Sequence, residues 1–338
     1  MAKIRKAVLF AILLAPAVAH AQSVEEFYRG KTINMIIGYP VAGANDFFAR
    51  TVARHIGKYI PGQPRVVPRN MPGGGSFVAA NHLFNVAPRD GTVLGLLAAT
   101  IPLEQALGAP NVKFKAGEFN WIGRMAPGTN VTFVWSSSPV KTIEDAMTTQ
   151  VILGSTGRSA TPTVYPSVLN NVLGTKFKMV MGYEGSTAAM LAMERGEVEG
   201  HSTSWDGLRA FRGNWVRDGR IRILVQYAVR RHPDLPDVRT SVELGRNEEE
   251  TQILRVVAHA TEVGKMVLST PGVPADRVAA LRRAFDAMVG DPEYIADMKA
   301  QGLELTPMGG QELQQFVEEI GRVPPAILDK VKAIYPLN

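Results

Sequence analysis

The stretch of the chain best suited to chemistry is residues 33–50, INMIIGYPVAGANDFFAR. Its apolar start predicts a strand, its small residues 38–45 predict a loop, and the amphipathic run from Asp46 predicts a helix. Such a junction leaves free backbone N–H groups at the helix start, next to the positive end of the helix dipole. Small anions, carboxylates included, bind at such sites, although the same pattern also forms ordinary strand-to-helix turns in α/β domains.

Three more loops rich in small and hydroxyl residues follow predicted strands, at residues 73–76, 155–161 and 183–187. Ligands of open α/β sheets lie beyond the carboxyl ends of the strands. Because two of the four loops come from each of two predicted domains, closure of the domains would bring all four onto one ligand. The candidate ligand-binding residues are Tyr39, Ala42, Gly43, Ala44, Asn45, Asp46, Gly75, Ser76, Thr156, Arg158, Ser159, Ala160, Thr161, Tyr183, Ser186, Ser204 and Trp205.

Several of these candidates have alternative structural roles. Asp46 can contact a ligand, but we prefer a role as cap or first-turn acid of the helix, because a carboxylate would repel an acid ligand. Asn45 is neutral and can donate, so it is the better ligand contact. Arg158 can grip a carboxylate through two hydrogen bonds or lie solvated at the surface, and Tyr39 and Trp205 can line a pocket or pack in the core. Ordinary loop and capping roles also suit the hydroxyl residues Ser76, Thr156, Ser159, Thr161 and Ser186.

The sequence carries none of the common catalytic or metal-binding motifs. It has no Gly-x-Ser-x-Gly elbow, no His-Glu-x-x-His pair and no cysteine, and its glycine-rich loop at 73–76 lacks the lysine of a phosphate-binding loop. The histidines after residue 21 are scattered, without metal-ligand spacing. We therefore predict no catalytic residue, no metal and no cofactor, and an exported hydrolase remains as the alternative from a different class.

The N-terminal residues 1–21, MAKIRKAVLFAILLAPAVAHA, have the pattern of a secretory signal peptide. A basic start precedes a short apolar run, and Ala19-His20-Ala21 fits a cleavage site after Ala21. The apolar run is about 12 residues long, against roughly 20 needed to span a bilayer. We expect a free exported protein, located in a bacterial periplasm, with no lipid attached because there is no cysteine at the cleavage site.

Composition and charge exclude nucleic acid as a partner. The 338 residues carry a formal net charge of +6, and removal of Lys3, Arg5 and Lys6 with the signal peptide lowers it to about +3. No cluster of lysine and arginine is interleaved with aromatic residues. The length is sufficient for two domains of ordinary size.

The positions of the four loops depend on an alternation of strands and helices along the chain. Strands are predicted at 33–37, 65–69, 92–97, 131–135, 150–154, 178–181, 198–204, 221–227 and 254–266, and helices at 46–59, 77–86, 142–147, 162–173, 188–195, 276–288, 292–301 and 311–320. This order predicts mostly parallel sheets flanked by helices. We predict two α/β lobes, the first formed by 22–124 and 226–338 and the second by the inserted segment 125–225, with a hinge near 122–128 and 222–228.

Several separated motifs resemble those of the solute-binding receptors of tripartite tricarboxylate transporters, the Bug-type receptors. The resemblance covers nearly all of the chain after residue 21. The motifs that carry it are Gly38-Tyr39-Pro40 with Gly43-Ala44-Asn45-Asp46, NMPGGGS at 70–76, NVAPRDGT at 85–92, GYEGS at 182–186, ERGEV at 194–198, Ser204-Trp205, RHPDLPDVRT at 231–240 and ELG at 243–245. Two positions depart from the family pattern, since Ala44 stands where glycine is frequent and Arg239 where proline is usual.

The resemblance implies a periplasmic binding protein-like type II fold, with two α/β lobes and a ligand cleft between them. It implies a receptor that captures a small organic carboxylate, such as a di- or tricarboxylate or an aromatic acid, and delivers it to the permease subunits of a membrane transporter. Such receptors hold the carboxylate through backbone amides, hydroxyls and bridging waters, and we expect a monomer. A ligand-sensing protein that feeds a signalling receptor would share the same fold.

Overall fold

The structure is a computed structural model that describes residues 22–158, 160–303 and 305–335. The predicted signal peptide lies outside these residues. Within them, no helix combines the length and the apolar character needed to cross a membrane.

The described residues form two sheets of different size. The strands are β1 (Thr32–Ile37), β2 (Arg65–Asn70), β3 (Val93–Leu96), β4 (Asn120–Arg124), β5 (Asn130–Trp135), β6 (Val151–Gly154), β7 (Phe177–Val180), β8 (Gly200–Ser204), β9 (Ile221–Tyr227), β10 (Met266–Ser269) and β11 (Met308–Gly309). One sheet has six strands in the order β11-β4-β10-β3-β1-β2, and the other has five in the order β7-β6-β8-β5-β9.

Helices flank both sheets. They are α1 (Val24–Tyr28), α2 (Ala44–His55), α3 (Phe77–Asn85), α4 (Ile101–Ala106), α5 (Asp145–Thr148), α6 (Thr161–Leu173), α7 (Ser186–Glu194), α8 (Trp205–Arg217), α9 (Glu248–Thr261), α10 (Ala275–Val289), α11 (Pro292–Ala300), α12 (Gly310–Ile320) and α13 (Pro325–Ile334). Short 3₁₀ helices occupy Ile56–Tyr59, Gly74–Ser76, Ala116–Glu118 and Val242–Leu244.

The prediction of two α/β lobes is confirmed, but the prediction of mostly parallel sheets is wrong, because each sheet combines parallel and antiparallel strands. β1 runs parallel to β2 and β3, and β6 runs parallel to β7 and β8. β10 is antiparallel to β3 and β4, and β5 is antiparallel to β8 and β9. The parallel strands come from the β-α-β segments that the sequence predicts, whereas the antiparallel strands extend each sheet beside them.

The core of the six-stranded lobe fixes the first strand and helix. Ile33, Met35 and Ile37 of β1 are fully buried, and they share one apolar cluster with Phe48 and Val52 of α2. Burial of Ile36 on the other face explains why the second half of β1, Met35 to Ile37, is apolar without interruption. The loop between β1 and α2 therefore projects from a rigid base.

The predicted strand at 254–266 is wrong, because α9 covers Glu248–Thr261 and only β10 follows it as a strand. Asn247 caps the helix through its side chain, and three glutamates occupy its first turn. The buried residues Ile253, Leu254, Val257 and Ala258 recur at helical spacing. The cap and the acidic first turn identify this segment as a helix despite its β-branched residues.

Candidate functional site

One cavity of about 520 Å³ lies between the two sheets. The loops that follow β1, β2 and β3 line it from one lobe, and the loops that follow β6 and β7, with the end of β8 and the start of α8, line it from the other. Residues at the two crossings between the sheets complete the wall, namely Gly128, Asn130, Gly264 and Lys265. The cavity therefore lies beyond the carboxyl ends of six strands, where α/β folds bind their ligands.

Four helices begin at this cavity without a side-chain cap at the N-terminus. They are α2, α3, α6 and α7, and their N-cap residues Gly43, Ser76, Ala160 and Gly185 all line the cavity. None of these four residues accepts a side-chain hydrogen bond from its own helix. In α2 and α7 the backbone N–H groups of the first turn are left available, and in α6 that of Thr161 is, because Pro162 has no N–H and Thr163 donates to Ala160 (2.8 Å). In α3, Phe77 and Val78 donate to Gly74 and Gly73. Each helix adds partial positive charge at its start. The arrangement suits an anionic group such as a carboxylate.

The loop between β1 and α2 is held by the buried side chain of Asp46. One oxygen of its carboxylate accepts from the backbone N–H of Ala42 (3.0 Å) and from Arg50 Nε (2.9 Å). The other oxygen accepts from Asn70 Nδ2 (2.7 Å), which also donates to the backbone oxygen of Tyr39 (2.9 Å). Asp46 thus lies in the first turn of α2, as the capping alternative predicts, and it fixes the shape of the loop from behind.

The second glycine-rich loop is attached to the first through Ser76. Its hydroxyl donates to the backbone oxygen of Gly38 (2.9 Å) and accepts from the N–H of Ala98 (3.1 Å). A Cβ added at Gly38 would lie 2.5 Å from Ser76 Oγ, so only glycine allows this approach. Ser76 therefore connects the three loops of the six-stranded lobe to one another.

The loops of the five-stranded lobe are cross-linked in the same way. Ser186 Oγ lies 3.0 Å from Thr203 Oγ1, within hydrogen-bond distance. Ser204 accepts from the N–H of Gly207 (3.2 Å) and thereby caps α8. These hydroxyls hold the start of α7 and the start of α8 beside each other.

The structure brings most of the predicted site residues to this one cavity. Those that line it are Tyr39, Ala42, Gly43, Ala44, Asn45, Gly75, Ser76, Thr156, Arg158, Ala160, Thr161, Tyr183, Ser186 and Ser204. Asp46 and Trp205 are buried and do not line it. Trp205 instead packs in the core of the five-stranded lobe and donates to Asp234 (3.2 Å). Ser159 lies outside the described residues.

Sequence reasoning missed three large side chains of the cavity wall: Tyr165, Phe211 and Lys265. Tyr165 lies one turn beyond Thr161 in α6, so helical spacing from a predicted site residue could have identified it. Phe211 belongs to α8, which was not predicted, and its ring contacts that of Phe47 across the cleft with centroids 5.5 Å apart. Lys265 is a buried cation just before β10, and no local pattern marks it.

A buried acid lies behind the tyrosines of the cavity. Glu104 of α4 is 1% exposed and accepts a hydrogen bond from the hydroxyl of Tyr335, which follows α13, at 3.2 Å. Burial raises the pKa of the Glu104 carboxyl from 4.5 to about 7. Burial also raises the pKa of Tyr39 and Tyr165, and the negative charge of Glu104 raises both further. Glu104 therefore acts electrostatically on this part of the cavity.

Comparison with known proteins places these features in a family. A family model described as "Tripartite tricarboxylate transporter family receptor" matches residues 48–332. A protein of Cupriavidus necator, "UPF0065 protein in gbd 5'region", is 26% identical over 327 residues, which cover 94% of this chain and 93% of that protein.

Two solved structures of similar fold are the periplasmic binding protein BugD and MatC from Rhodopseudomonas palustris with bound malate. BugD is 20% identical, with a TM-score of 0.71, over 91% of this chain and 99% of its own. MatC is 18% identical, with a TM-score of 0.67, over 88% of this chain and 99% of its own. A third, the R. palustris protein Rpa4515 with adipate, is 20% identical, with a TM-score of 0.68, over 90% of this chain and 98% of its own. These similarities identify the fold as that of periplasmic binding proteins.

Proposed function

The chain belongs to the tripartite tricarboxylate transporter receptor family, and on that premise we propose that it is an extracytoplasmic receptor for a small organic carboxylate. It would capture the acid between its lobes and deliver it to the permease subunits of a membrane transporter. In this role it acts by reversible binding, without a catalytic residue, a metal or a cofactor.

The convergence of four uncapped helix N-termini on one cavity is the observation that carries this proposal. All four helix ends offer partial positive charge to an anion, and α2 and α7 add the unpaired backbone N–H groups of their first turns. The cations Arg158 and Lys265 also line the cavity, against the single acid Glu184 among its lining residues. Two structures of similar fold hold dicarboxylic acids, adipate and malate.

We propose the division into lobes that the sequence predicts. We assign 22–124 and 226–338 to the first lobe, 125–225 to the second, and the hinge to residues near 122–128 and 222–228. Ligand contacts from both lobes would then stabilise the closed arrangement relative to an open one. The contacts proposed for the ligand are the first-turn amides of α2 and α7 and the amide of Thr161 in α6, together with the neighbouring side chains of Asn45, Thr156 and Arg158.

We also propose that residues 1–21 direct export and are removed after Ala21, so that the receptor works in the periplasm as a monomer. Mass spectrometry of the protein isolated from the periplasm tests this point. A mature N-terminus at Gln22 is the expected result, and an intact N-terminus would contradict it.

Isothermal titration calorimetry of the mature protein against mono-, di- and tricarboxylates tests the binding function. At least one acid should bind, and its neutral amide or methyl ester should not, because the helix ends favour negative charge. Failure of every acid to bind, or turnover of an added ester or amide, would contradict the proposal.

A further inference from the structure

Two helices from different lobes contact each other at the wall of the cavity. The α2 helix follows β1 of the six-stranded sheet, and α8 follows β8 of the five-stranded sheet. Their first turns lie close together, because a Cβ added at Gly207 of α8 would lie 3.2 Å from the Cβ of Ala44 in α2. Both residues line the cavity. A movement that separates the lobes at this wall has to break the contact.

Two phenylalanine rings extend this contact by one turn along each helix. Phe47 lies one turn beyond Ala44, and Phe211 lies one turn beyond Gly207, so each ring shares a helix face with the smaller residue. The ring centroids are 5.5 Å apart with an angle of 55° between the planes, which is a favourable aromatic geometry. Each ring also packs against the apolar cluster of its own lobe. The pair therefore joins two separate apolar clusters across the cleft.

A second segment of the chain approaches the same part of α8. The turn after α11 brings Gly302 next to Ala210, since a Cβ added at Gly302 would lie 3.8 Å from Ala210 Cα. The α11 helix packs in turn on α2. Small residues at these points allow the backbones to come close. The start of α8 is thus held from two sides, by α2 and by the turn after α11.

The two rings differ in their relation to the cavity. Phe211 lines it, whereas Phe47 does not. Ala44 is the first residue of α2, whose first-turn amides are the proposed carboxylate contacts, so the contact with α8 lies directly beside that position. Phe47 can therefore influence the ligand only through the arrangement of the lobes.

We propose that α2 and α8 form a latch across the cleft, in which Phe47 packs on Phe211 and Ala44 packs on Gly207, and that this latch holds the lobes closed and slows the release of a bound acid. The statement about release rests on the proposed function, whereas closure by the latch applies to the ligand-free protein as well. Phe47 is then a positioning residue. One aromatic pair changes the ratio of closed to open protein by about two- to tenfold.

Distance measurement in the ligand-free protein tests the latch without any assumption about the ligand. The chain has no cysteine, so Val78→Cys and Met181→Cys place spin labels only at these two exposed positions, next to cavity-lining loops of the two lobes. Double electron–electron resonance then gives the distribution of distances between the labels. The wild-type latch should give one main population at the distance of the closed structure.

A wedge in the latch should open the cleft. Gly207→Leu places a side chain where the Cβ alone already lies 3.2 Å from Ala44 Cβ, so the closed arrangement no longer fits and the distance distribution should shift to longer values. Gly213→Leu is the matched control on the same helix, because a Cβ there meets no atom within 4 Å, and it should keep the wild-type distribution. Urea denaturation of both variants verifies that they are folded.

The aromatic pair is tested by the rate of release. Stopped-flow measurement uses the mono-, di- or tricarboxylate that binds the wild type in calorimetry. Phe47→Ala should increase its dissociation rate by about two- to tenfold, because opening no longer has to break the ring contact. Phe84→Ala is the matched control, since Phe84 is also partly buried and contacts the Phe119 ring at 5.6 Å within the six-stranded lobe, and it should keep the wild-type rate.

The outcomes separate the latch from the proposed function. A wild-type distance distribution in Gly207→Leu, or a wild type as open as that variant, would overturn the latch. Release from Phe47→Ala that is no faster than from Phe84→Ala would also overturn it, while carboxylate binding stands. If no acid binds the wild type, the proposed function fails, and the distance measurements alone decide whether the latch exists.

Discussion

Replacement of Glu104 by glutamine should stabilise the protein more strongly at pH 8 than at pH 5. The folded-state pKa of Glu104 is about 7, against 4.5 for an ordinary glutamate. Between these two values the folded state binds more protons than the unfolded state, so this group lowers stability as the pH rises through that window. Glutamine has a similar shape and can accept the hydrogen bond from Tyr335, but it never ionises.

The size of the effect follows from the shift in pKa. A displacement of one unit corresponds to about 1.4 kcal/mol, so the shift from 4.5 to about 7 is worth about 3 kcal/mol once both states are ionised. Most of this change occurs between pH 5 and pH 8, where linkage gives a difference of about 2.5 kcal/mol. The free energy of unfolding of Glu104→Gln, relative to wild type, should rise by that amount over this interval.

Urea denaturation of the mature wild type and Glu104→Gln at pH 5 and pH 8 measures this difference. Burial lowers the pKa of His201 to about 4, which changes stability in the opposite direction at acid pH, but this contribution is common to both proteins and cancels. Glu319→Gln, at an exposed position of α12, is the control and should show no such pH-dependent gain. An equal stability difference at both pH values, or a variant less stable than wild type at pH 8, would refute the reasoning.

Three further substitutions test other parts of the site. Asp46→Ala should lower the free energy of unfolding by about 2–3 kcal/mol and weaken acid binding, because it removes the hydrogen bonds to the loop and to Arg50; wild-type values in urea denaturation and calorimetry would contradict this. Gly43→Val should fold normally, because its φ of −98° suits valine and an added Cβ meets no atom within 4 Å, but it should abolish binding in calorimetry. Gly117→Val is the control, because Gly117 lies outside the cavity lining. Equal affinities of the two variants would mean that Gly43 does not belong to the binding site. Tyr165→Phe without ligand should be as stable as wild type or up to about 1 kcal/mol more stable in urea, since it loses only a hydroxyl that has no hydrogen-bond partner among the described residues. A clear loss of stability would mean that the hydroxyl has a structural role.

The first wall of the cavity could be predicted from sequence because its signals are local. An apolar run, a loop of small residues and an amphipathic run at residues 33–50 directly encode β1, its loop and α2. The same kind of pattern predicted the loops after β2, β6 and β7. Because parallel strands align their carboxyl ends, their convergence also followed from the fold class, which the structure confirms.

The error at 254–266 shows how composition can mislead. Leu254, Val256, Val257 and Val263 favour a strand by residue type, yet the segment begins as a helix at Glu248. The decisive residue, Asn247, precedes the apolar run and caps the helix with its side chain. Tertiary packing then buries one face of the helix, and this burial outweighs the preference of the β-branched residues for a strand.

Other features of the site depend on contacts far apart in sequence. Glu104 and Tyr335 are 231 positions apart, and their hydrogen bond exists only because α13 lies near α4 in the folded chain. Lys265 reaches the cavity because its backbone pairs with Met125 and Ala126, far away in sequence, and not because its neighbours form a motif. The place of such residues at the site cannot be predicted from hydrophobic periodicity or from composition.

The helix α13 at Pro325–Ile334 restricts how the two lobes can move relative to each other. It packs against α9 and against α6 of the five-stranded lobe, and Asn171 of α6 donates to the backbone oxygen of Ile334 (2.6 Å). The α9 helix also contacts α4, whose chain neighbours line the opposite side of the cavity. The lobes are thus connected by two chain crossings and by this third, non-covalent attachment.

Two attachment points define an axis about which one rigid body can rotate, and a third point away from that axis removes this degree of freedom. Opening of the cleft therefore requires α13 to leave α6, or α9 and α13 to rotate together with the five-stranded lobe. In the first case the contact between α13 and α6 limits the opening of the cleft, and in the second case the contact between α9 and α4 limits it.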